Sequence, residues 1–334
     1  MKNCGRQGSD TRRKLLSLAP VLVVAPIVGA LSPFATARST QPQPFSPFSP
    51  SSSPPASAAS PPEHGRNVPP GFEMLPTIGM GTWRTFDVGD NASEQDQRRR
   101  VLKQFFAAGG GMIDSSPMYG SAEWLLGQLL GEVDNRGKLI SATKVWTALD
   151  AWGPKQLEQS LRLWGQPHFD VVLVHNLLNW RAHMKLLRRW KDEGRARWIG
   201  ISTSHAVAND EAMKIIRAEK FDVLQITYNL ADPGAEKAMD LAASRGMAVV
   251  INRPFDGGGL FGRVRHRPRP GWTAEIDCSN WAQVFLKWVV SHPAVTCAIP
   301  ATRIPEHMAE NMGARLGRMP DPAMRRKIQE ILNG

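Results

Sequence analysis

Four short segments of the chain run from apolar residues into polar ones. They are Met112–Gly120 (MIDSSPMYG), Ser141–Trp146 (SATKVW), Val171–Asn176 (VVLVHN) and a stretch with Gly200 to Thr203 at its core (IGIST). The first three contain Asp114, Tyr119, Lys144 and His175. A carbonyl that accepts hydride accumulates negative charge on its oxygen and needs a proton there. A tyrosine hydroxyl is a poor acid, with a reference pKa of about 10, but a neighbouring ammonium stabilises the phenolate and lowers that value. Lys144 can supply the ammonium, and Asp114 can hold Lys144 in its charged form. His175 can offer a hydrogen bond that orients the substrate oxygen. Together the four side chains read as a proton-delivery device for carbonyl reduction.

Each residue alone has a plainer reading. Asp114 could cap a helix, Tyr119 could be ordinary packing, and His175 could be structural. A lysine closing an apolar strand is harder to explain, because buried lysines are rare unless paired. The chain has two tyrosines, Tyr119 and Tyr228, so the placement of one of them beside this set carries weight. The three cysteines (Cys4, Cys278, Cys297) show no CxxC and no zinc spacing, so no metal site is expected. Cys278 and Cys297 could form a disulfide in an oxidising compartment, but they read more simply as separate thiols, one before a helix and one inside a strand. No second acid stands out at a strand end beside Asp114, which counts against a glycoside-hydrolysing pair of carboxylates.

These residues need elements to position them. From residue 71 onward, short apolar runs alternate with longer amphipathic ones, the pattern of repeated βα units. Strands are expected to end near Gly81, Asp114, Lys144, His175, Ser202, Tyr228, Asn252 and Pro300. Helices are expected over Glu94–Ala108, Ala122–Gly131, Pro154–Trp164, Arg181–Gly194, Asp210–Lys220, Pro233–Arg245, Ser279–Ser291 and Pro305–Leu316, with an extra one over Asp321–Leu332. Eight such units predict a (β/α)8 TIM barrel, one α/β domain over residues 71–334, with chemistry at the strands' C-terminal ends. An open doubly wound sheet is the alternative, but Gly79–Trp83 does not open a helix as a dinucleotide fingerprint would. The longest loop, Pro254 to about Asn280, is rich in Gly and Arg and is expected to be functional or mobile.

The first seventy residues read differently. Residues 1–37 combine a basic start (Arg12-Arg13-Lys14), an apolar run from Leu15 to Leu31 and small residues at Ala35-Thr36-Ala37, the parts of a signal peptide. The paired arginines resemble a twin-arginine signal. An uncleaved membrane tether is the rival, opposed by Pro20, Pro26 and Pro33. Residues 38–70 hold ten prolines and eight serines and are expected to be a disordered Pro/Ser-rich linker. The expected location is therefore periplasmic or exported, with the export machinery as a partner, or membrane-anchored facing the periplasm. The net charge is +11 and five basic residues sit in residues 1–37. The chain has no compact basic run with interleaved aromatics, so nucleic acid is not an expected partner.

The ordered motifs resemble the aldo-keto reductase family over roughly residues 74–313. The resemblance rests on Gly81-Thr82-Trp83, Asp114 with Tyr119 five residues on, Lys144, His175-Asn176, and Asn311 after Pro300. It implies a barrel that uses NADPH without a Rossmann domain. In that family Tyr is the general acid, Lys and Asp assist it, and His positions the carbonyl, which assigns Tyr119, Lys144, Asp114 and His175. It further implies cofactor contacts at Gly81, Thr82, Ser202, Thr203, Gln225, Asn252, Arg253, Phe255, Thr302, Arg303, His307, Glu310 and Asn311. Thr203 stands where Asn is common, and Asn252 where many members stack a Tyr on the nicotinamide, a role Phe255 could take. Ala301-Thr302-Arg303 replaces a frequent Lys-Ser beginning, and Arg303 could restore a 2′-phosphate contact. NADP is therefore the expected cofactor, with NAD possible. Trp83, Trp146 and Trp180 follow strand ends and could wall a substrate pocket or pack under loops. The short stretch after the last expected helix suggests an open pocket suited to bulky or flat carbonyl substrates. The rival function is a non-enzymatic, cofactor-binding redox sensor or partner subunit on the same barrel.

Overall fold

The computed structural model describes residues 69–332, Arg136 aside. The signal and nearly all of the linker read from residues 1–70 lie outside the described residues. Eight parallel strands follow one another in sheet order, β1 (Met80–Gly81), β2 (Met112–Asp114), β3 (Ile140–Val145), β4 (Phe169–His175), β5 (Ala196–Ser202), β6 (Val223–Thr227), β7 (Ala248–Asn252) and β8 (Cys297–Ala298). Parallel bridges Ile78–Ala298 and Gly81–Ala301 join the first strand to the last and close the ring. The open-sheet alternative is thereby excluded. Each strand ends within two residues of the position expected from sequence.

The helices are α1 (Ala92–Ala107), α2 (Ala122–Leu130), α3 (Trp152–Trp164), α4 (Trp180–Asp192), α5 (Asn209–Ala218), α6 (Glu236–Ser244), α7 (Gly259–Val264), α8 (Trp281–Val290), α9 (Pro305–Gly313) and α10 (Pro322–Glu330). Local chemistry sets several boundaries. Asn91, Asn280 and Asp321 accept backbone N–H bonds at the starts of α1, α8 and α10, as N-cap residues do. Helix α3 ends at Gly165 in the left-handed conformation that glycine tolerates. The Gly/Arg-rich segment after β7, read from sequence as one long loop, instead folds into α7 and a 3₁₀ turn over Gly271–Ile276. Its buried Leu260, Val264 and Ile276 explain why.

Two apolar layers hold the barrel. The outer layer lies between strands and helices, and the inner one fills the ring with Phe72, Leu75, Met112, Ile140, Ala142, Val171, Leu173, Trp198, Val223, Ala248, Val250, Cys297 and Ile299. Phe72 packs on Trp198 with ring centres 5.0 Å apart, so the segment before β1 covers the N-terminal mouth. Chemistry is thus left to the opposite end. The buried Glu123 of α2 accepts from Thr143 (2.6 Å), Ser160 (2.8 Å) and Trp164 (3.2 Å), tying α2 and α3 to β3 next to Lys144. Burial raises the Glu123 pKa, and the three donors and Lys144 oppose the rise. Cys278 precedes α8, Cys297 lies in β8, and the two form no disulfide.

Strand β5 passes β6 closely at Gly200, where a Cβ would stand 1.8 Å from the Val223 carbonyl oxygen and 3.1 Å from a Leu173 methyl. Substituting Gly200→Ala must spread two paired strands. The expected cost is at least ~2 kcal/mol in urea unfolding, and a loss below ~0.5 kcal/mol would contradict this packing.

Candidate active site

Side chains alternate across a strand with period two, and this alternation builds the site. In β2 through β7 an inward residue in the ring interior is followed, two residues later, by a polar one: Met112 by Asp114, Ala142 by Lys144, Leu173 by His175, Gly200 by Ser202, Val223 by Gln225 and Val250 by Asn252. The parallel register sets His175 beside Ser202, and Ser202 beside Gln225. Six strands thus deliver six polar groups to one end of the barrel.

Lys144 is fully buried. Its Nζ donates to Asp114 Oδ2 at 2.6 Å and to the Ser115 carbonyl at 2.7 Å, and lies 5.1 Å from the Tyr119 ring centre. The other Asp114 oxygen accepts from Gln225 Nε2 at 2.8 Å. Thr82 Oγ1 lies 3.0 Å from the Asp114 carbonyl oxygen and 2.9 Å from Ser115 Oγ, fixing the segment after β2. Burial works against the charge on Lys144. The Asp114 carboxylate, with Tyr119 second, outweighs it and holds the ammonium above its ordinary pKa. Tyr119 is governed first by burial, which raises its pKa; Lys144 opposes the rise and Asp114 adds to it, leaving the hydroxyl above its ordinary value. The lowering by Lys144 expected from sequence is thus present but outweighed by burial. The resting phenol is therefore protonated at neutral pH, as a proton donor must be.

His175 sits edge-on to Tyr119, ring centres 6.3 Å apart and planes at 82°. Its Nδ1 is 2.7 Å from Ser202 Oγ. Burial first, then the charges of Lys144 and His205, push its pKa down to about 3. The imidazole is therefore neutral at physiological pH.

A cavity of about 390 Å³ opens beside these groups. Asp114, Tyr119 and His175 line it together with Gly81, Thr82, Trp83, Asn252, Arg253 and Phe255 from the sequence-derived set. Arg84, Met118, Asn176, Ser204, His205, Gly258 and Phe261 also line it, and sequence reasoning gave them no role in the site. Phe261 was findable only from the fold of the segment after β7, which brings its ring 4.9 Å from that of Phe255. Ser202 at the end of β5, Thr203 just after it and Gln225 in the middle of β6 are buried outside the lining. Thr302, Arg303, His307, Glu310 and Asn311 lie along the β8–α9 turn and α9, also outside it. Trp146 and Trp180 are not in the lining either. Gln156 pins the Trp146 backbone through its N–H (2.6 Å) and its carbonyl (3.1 Å), and the ring stays exposed. Trp180 starts α4 at the core's edge, under the Arg181 guanidinium at 4.5 Å.

Trp83 and Phe255 give the cavity an aromatic surface that the flat ring of a nicotinamide would fit. Just after β5 the Thr203 hydroxyl is buried without a hydrogen-bond partner among the described residues, and such a group is costly unless something completes it. Asn252 Nδ2 donates to the Thr203 carbonyl at 2.8 Å, while its Oδ1 accepts from Thr227 at 2.6 Å. Asn252 thus braces the strand ends where the resemblance called for a ring, and Phe255 and Trp83 provide aromatic surface in the cavity.

A sequence model of the aldo/keto reductase family matches residues 77–332. Among curated proteins, the methylglyoxal reductase YeaE of Escherichia coli (strain K12) is 25% identical over 247 residues, covering 72% of this chain and 86% of its own length. The pyridoxine 4-dehydrogenase of the same organism is 24% identical over 268 residues, covering 73% and 91%. Among solved structures, an aldo/keto reductase from Klebsiella pneumoniae in complex with NADP and acetate is similar with a TM-score of 0.62 and 24% identity, over 77% of this chain and 91% of that one. An aldo-keto reductase from Bacillus halodurans (AKR11C1, holo form) gives the same TM-score of 0.62 at 18% identity, over 76% and 91%. These likenesses show the same fold.

The neutral state of His175 has a consequence for stability. Between about pH 6.5, its ordinary value, and about pH 3, the unfolded chain binds a proton that the folded protein refuses. Stability from this group therefore rises with pH in that interval and is lost as the pH falls, by up to ~1.4 kcal/mol per unit. The variant His175→Gln lacks this dependence. In urea unfolding, the stability advantage of the native protein over the variant should shrink from about pH 7 to about pH 4. An advantage that stays constant would contradict a buried, neutral His175.

Proposed function

The chain belongs to the aldo/keto reductase family, and we propose that it reduces an aldehyde or ketone to the alcohol with NAD(P)H, Tyr119 giving the proton. The observation that carries this reading is the fully buried Lys144, paired with Asp114 and set beside a Tyr119 that shares its cavity with a neutral His175. NAD(P)H supplies the hydride when bound. The chain's own residues do the rest. His175 and the Tyr119 hydroxyl receive the substrate oxygen. Trp83, Phe255, Phe261 and Ile299 line the cavity with apolar surface, which strengthens each electrostatic contact within it. As charge grows on the oxygen, the Tyr119 proton moves onto it. Lys144 stabilises the phenolate left behind, Asp114 keeps Lys144 charged, and Gln225 holds Asp114.

A catalytic role is favoured over a cofactor-binding sensor because a sensor has no use for a proton donor poised against a buried ammonium. The names of two relatives, a methylglyoxal reductase and a pyridoxine 4-dehydrogenase, support carbonyl–alcohol chemistry. The cofactor is NADP rather than NAD in this reading, supported by the exposed Arg303 beside α9, whose planar guanidinium suits a phosphate, and by the NADP complex of the Klebsiella pneumoniae relative. The mature protein acts after export, a reading supported by the basic, apolar and small-residue segments of residues 1–37 and tested by cell fractionation.

The variant Tyr119→Phe keeps the ring and removes the proton. Its turnover of an aromatic aldehyde with NADPH should fall at least ~10²-fold, while NADPH binding followed by fluorescence persists. Turnover within a few-fold of the native protein would overturn Tyr119 as the acid, and loss of NADPH binding by the native chain would overturn the reductase reading.

A further inference from the structure

Ser202 Oγ and His175 Nδ1 are 2.7 Å apart, in-register neighbours on β5 and β4. Both side chains are buried, Ser202 at 0% and His175 at 4% exposure. A hydroxyl carries one hydrogen and a neutral imidazole carries one N–H, so the bond can run in two directions. If Nδ1–H donates to Ser202, the serine hydrogen points into a buried space where the described residues offer its side chain no acceptor but that ring. A buried donor is then left unmade, which proteins avoid. If the hydroxyl donates to Nδ1, that deficit vanishes and the imidazole hydrogen must sit on Nε2. His175 lines the cavity, and among the described residues its ring is hydrogen-bonded at Nδ1 and not at Nε2.

We infer that Ser202 is a positioning residue: it donates to Nδ1 of His175 and so fixes the tautomer that presents Nε2–H as a hydrogen-bond donor toward the substrate oxygen. The opposite tautomer would present a lone pair to that oxygen and repel it. Sequence alone gave Ser202 a cofactor contact; the strand register gives it this second task, and the task rests on the carbonyl-reductase reading only for the identity of the oxygen. The phenol and the imidazole then act as two donors on one atom, the first giving its proton and the second keeping it.

The test reads the tautomer directly and needs no turnover. In protein labelled with nitrogen-15 at histidine, with the His175 resonances assigned through His175→Gln, the native chain should show unprotonated Nδ1 and protonated Nε2 at neutral pH. Ser202→Thr, which keeps a hydroxyl, should preserve that pattern, and Ser202→Ala should lose it to a mixture or to the Nδ1–H form. Native protein with Nδ1–H overturns the proposal, as does a Ser202→Ala variant with an unaltered tautomer. The native and Ser202→Thr spectra decide the matter if the alanine variant does not fold. Failure of the reductase reading would appear separately, as absent aldehyde turnover in native protein whose His175 has the expected tautomer.

Discussion

Lys144, buried away from water, keeps its charge because the Asp114 carboxylate faces it, and the Lys144–Asp114 pair at 2.6 Å is the constraint around which this barrel is arranged. Removing one partner of such a pair leaves an uncompensated buried charge, at a cost of ~3–5 kcal/mol. That is a large fraction of the ~5–15 kcal/mol by which a typical domain is stable. The pair is therefore held from several directions. Gln225 occupies the second carboxylate oxygen, the Ser115 carbonyl takes another Lys144 proton, and Glu123 grips Thr143, the residue before Lys144. The pair also acts on Tyr119. Burial alone would make the phenol a very weak acid, and Lys144 is the group that limits this.

The two halves of the barrel divide the work. At the N-terminal mouth Phe72 and Trp198 close the interior with apolar surface. At the other end the six strands β2 through β7 each give up one apolar layer for a polar one, and the parallel register converts sequence order into spatial adjacency. Asp114 and Gln225 are 111 residues apart in the chain yet share a hydrogen bond. Stability and chemistry are in this way separated along the barrel axis, as the fold allows.

Much of this was legible in the sequence because strands announce themselves by apolar runs and end on residues that do not belong in a core. Asp114, Lys144 and His175 each break such a run, and counting two residues back from each lands on an interior residue: Met112, Ala142 and Leu173. What was not legible depended on contacts between distant segments. The bond from Gln225 to Asp114 and that between Ser202 and His175 follow from register, which no single strand encodes. The helix α7 was hidden by the glycines and arginines around Leu260 and Val264, whose burial is a tertiary fact. Trp146 and Trp180 looked alike in sequence, each following a strand end, yet backbone pinning by Gln156 and the start of α4 keep both out of the cavity lining. The balance on Tyr119 was read with one sign because sequence shows a lysine but not the depth at which the phenol is buried.

The central claim is that Lys144 counters burial and so strengthens Tyr119 as an acid, and the chain permits an unusually clean measurement because it holds two tyrosines. In a Tyr228→Phe background the ultraviolet tyrosinate signal reports Tyr119 alone. Titrating that variant beside the same variant carrying Lys144→Met compares the phenol with and without its ammonium. The Tyr119 midpoint should move upward when Lys144 is removed. A midpoint that stays in place or moves down would contradict the claim, and Lys144 would then be a structural ion-pair partner with no hold on the proton.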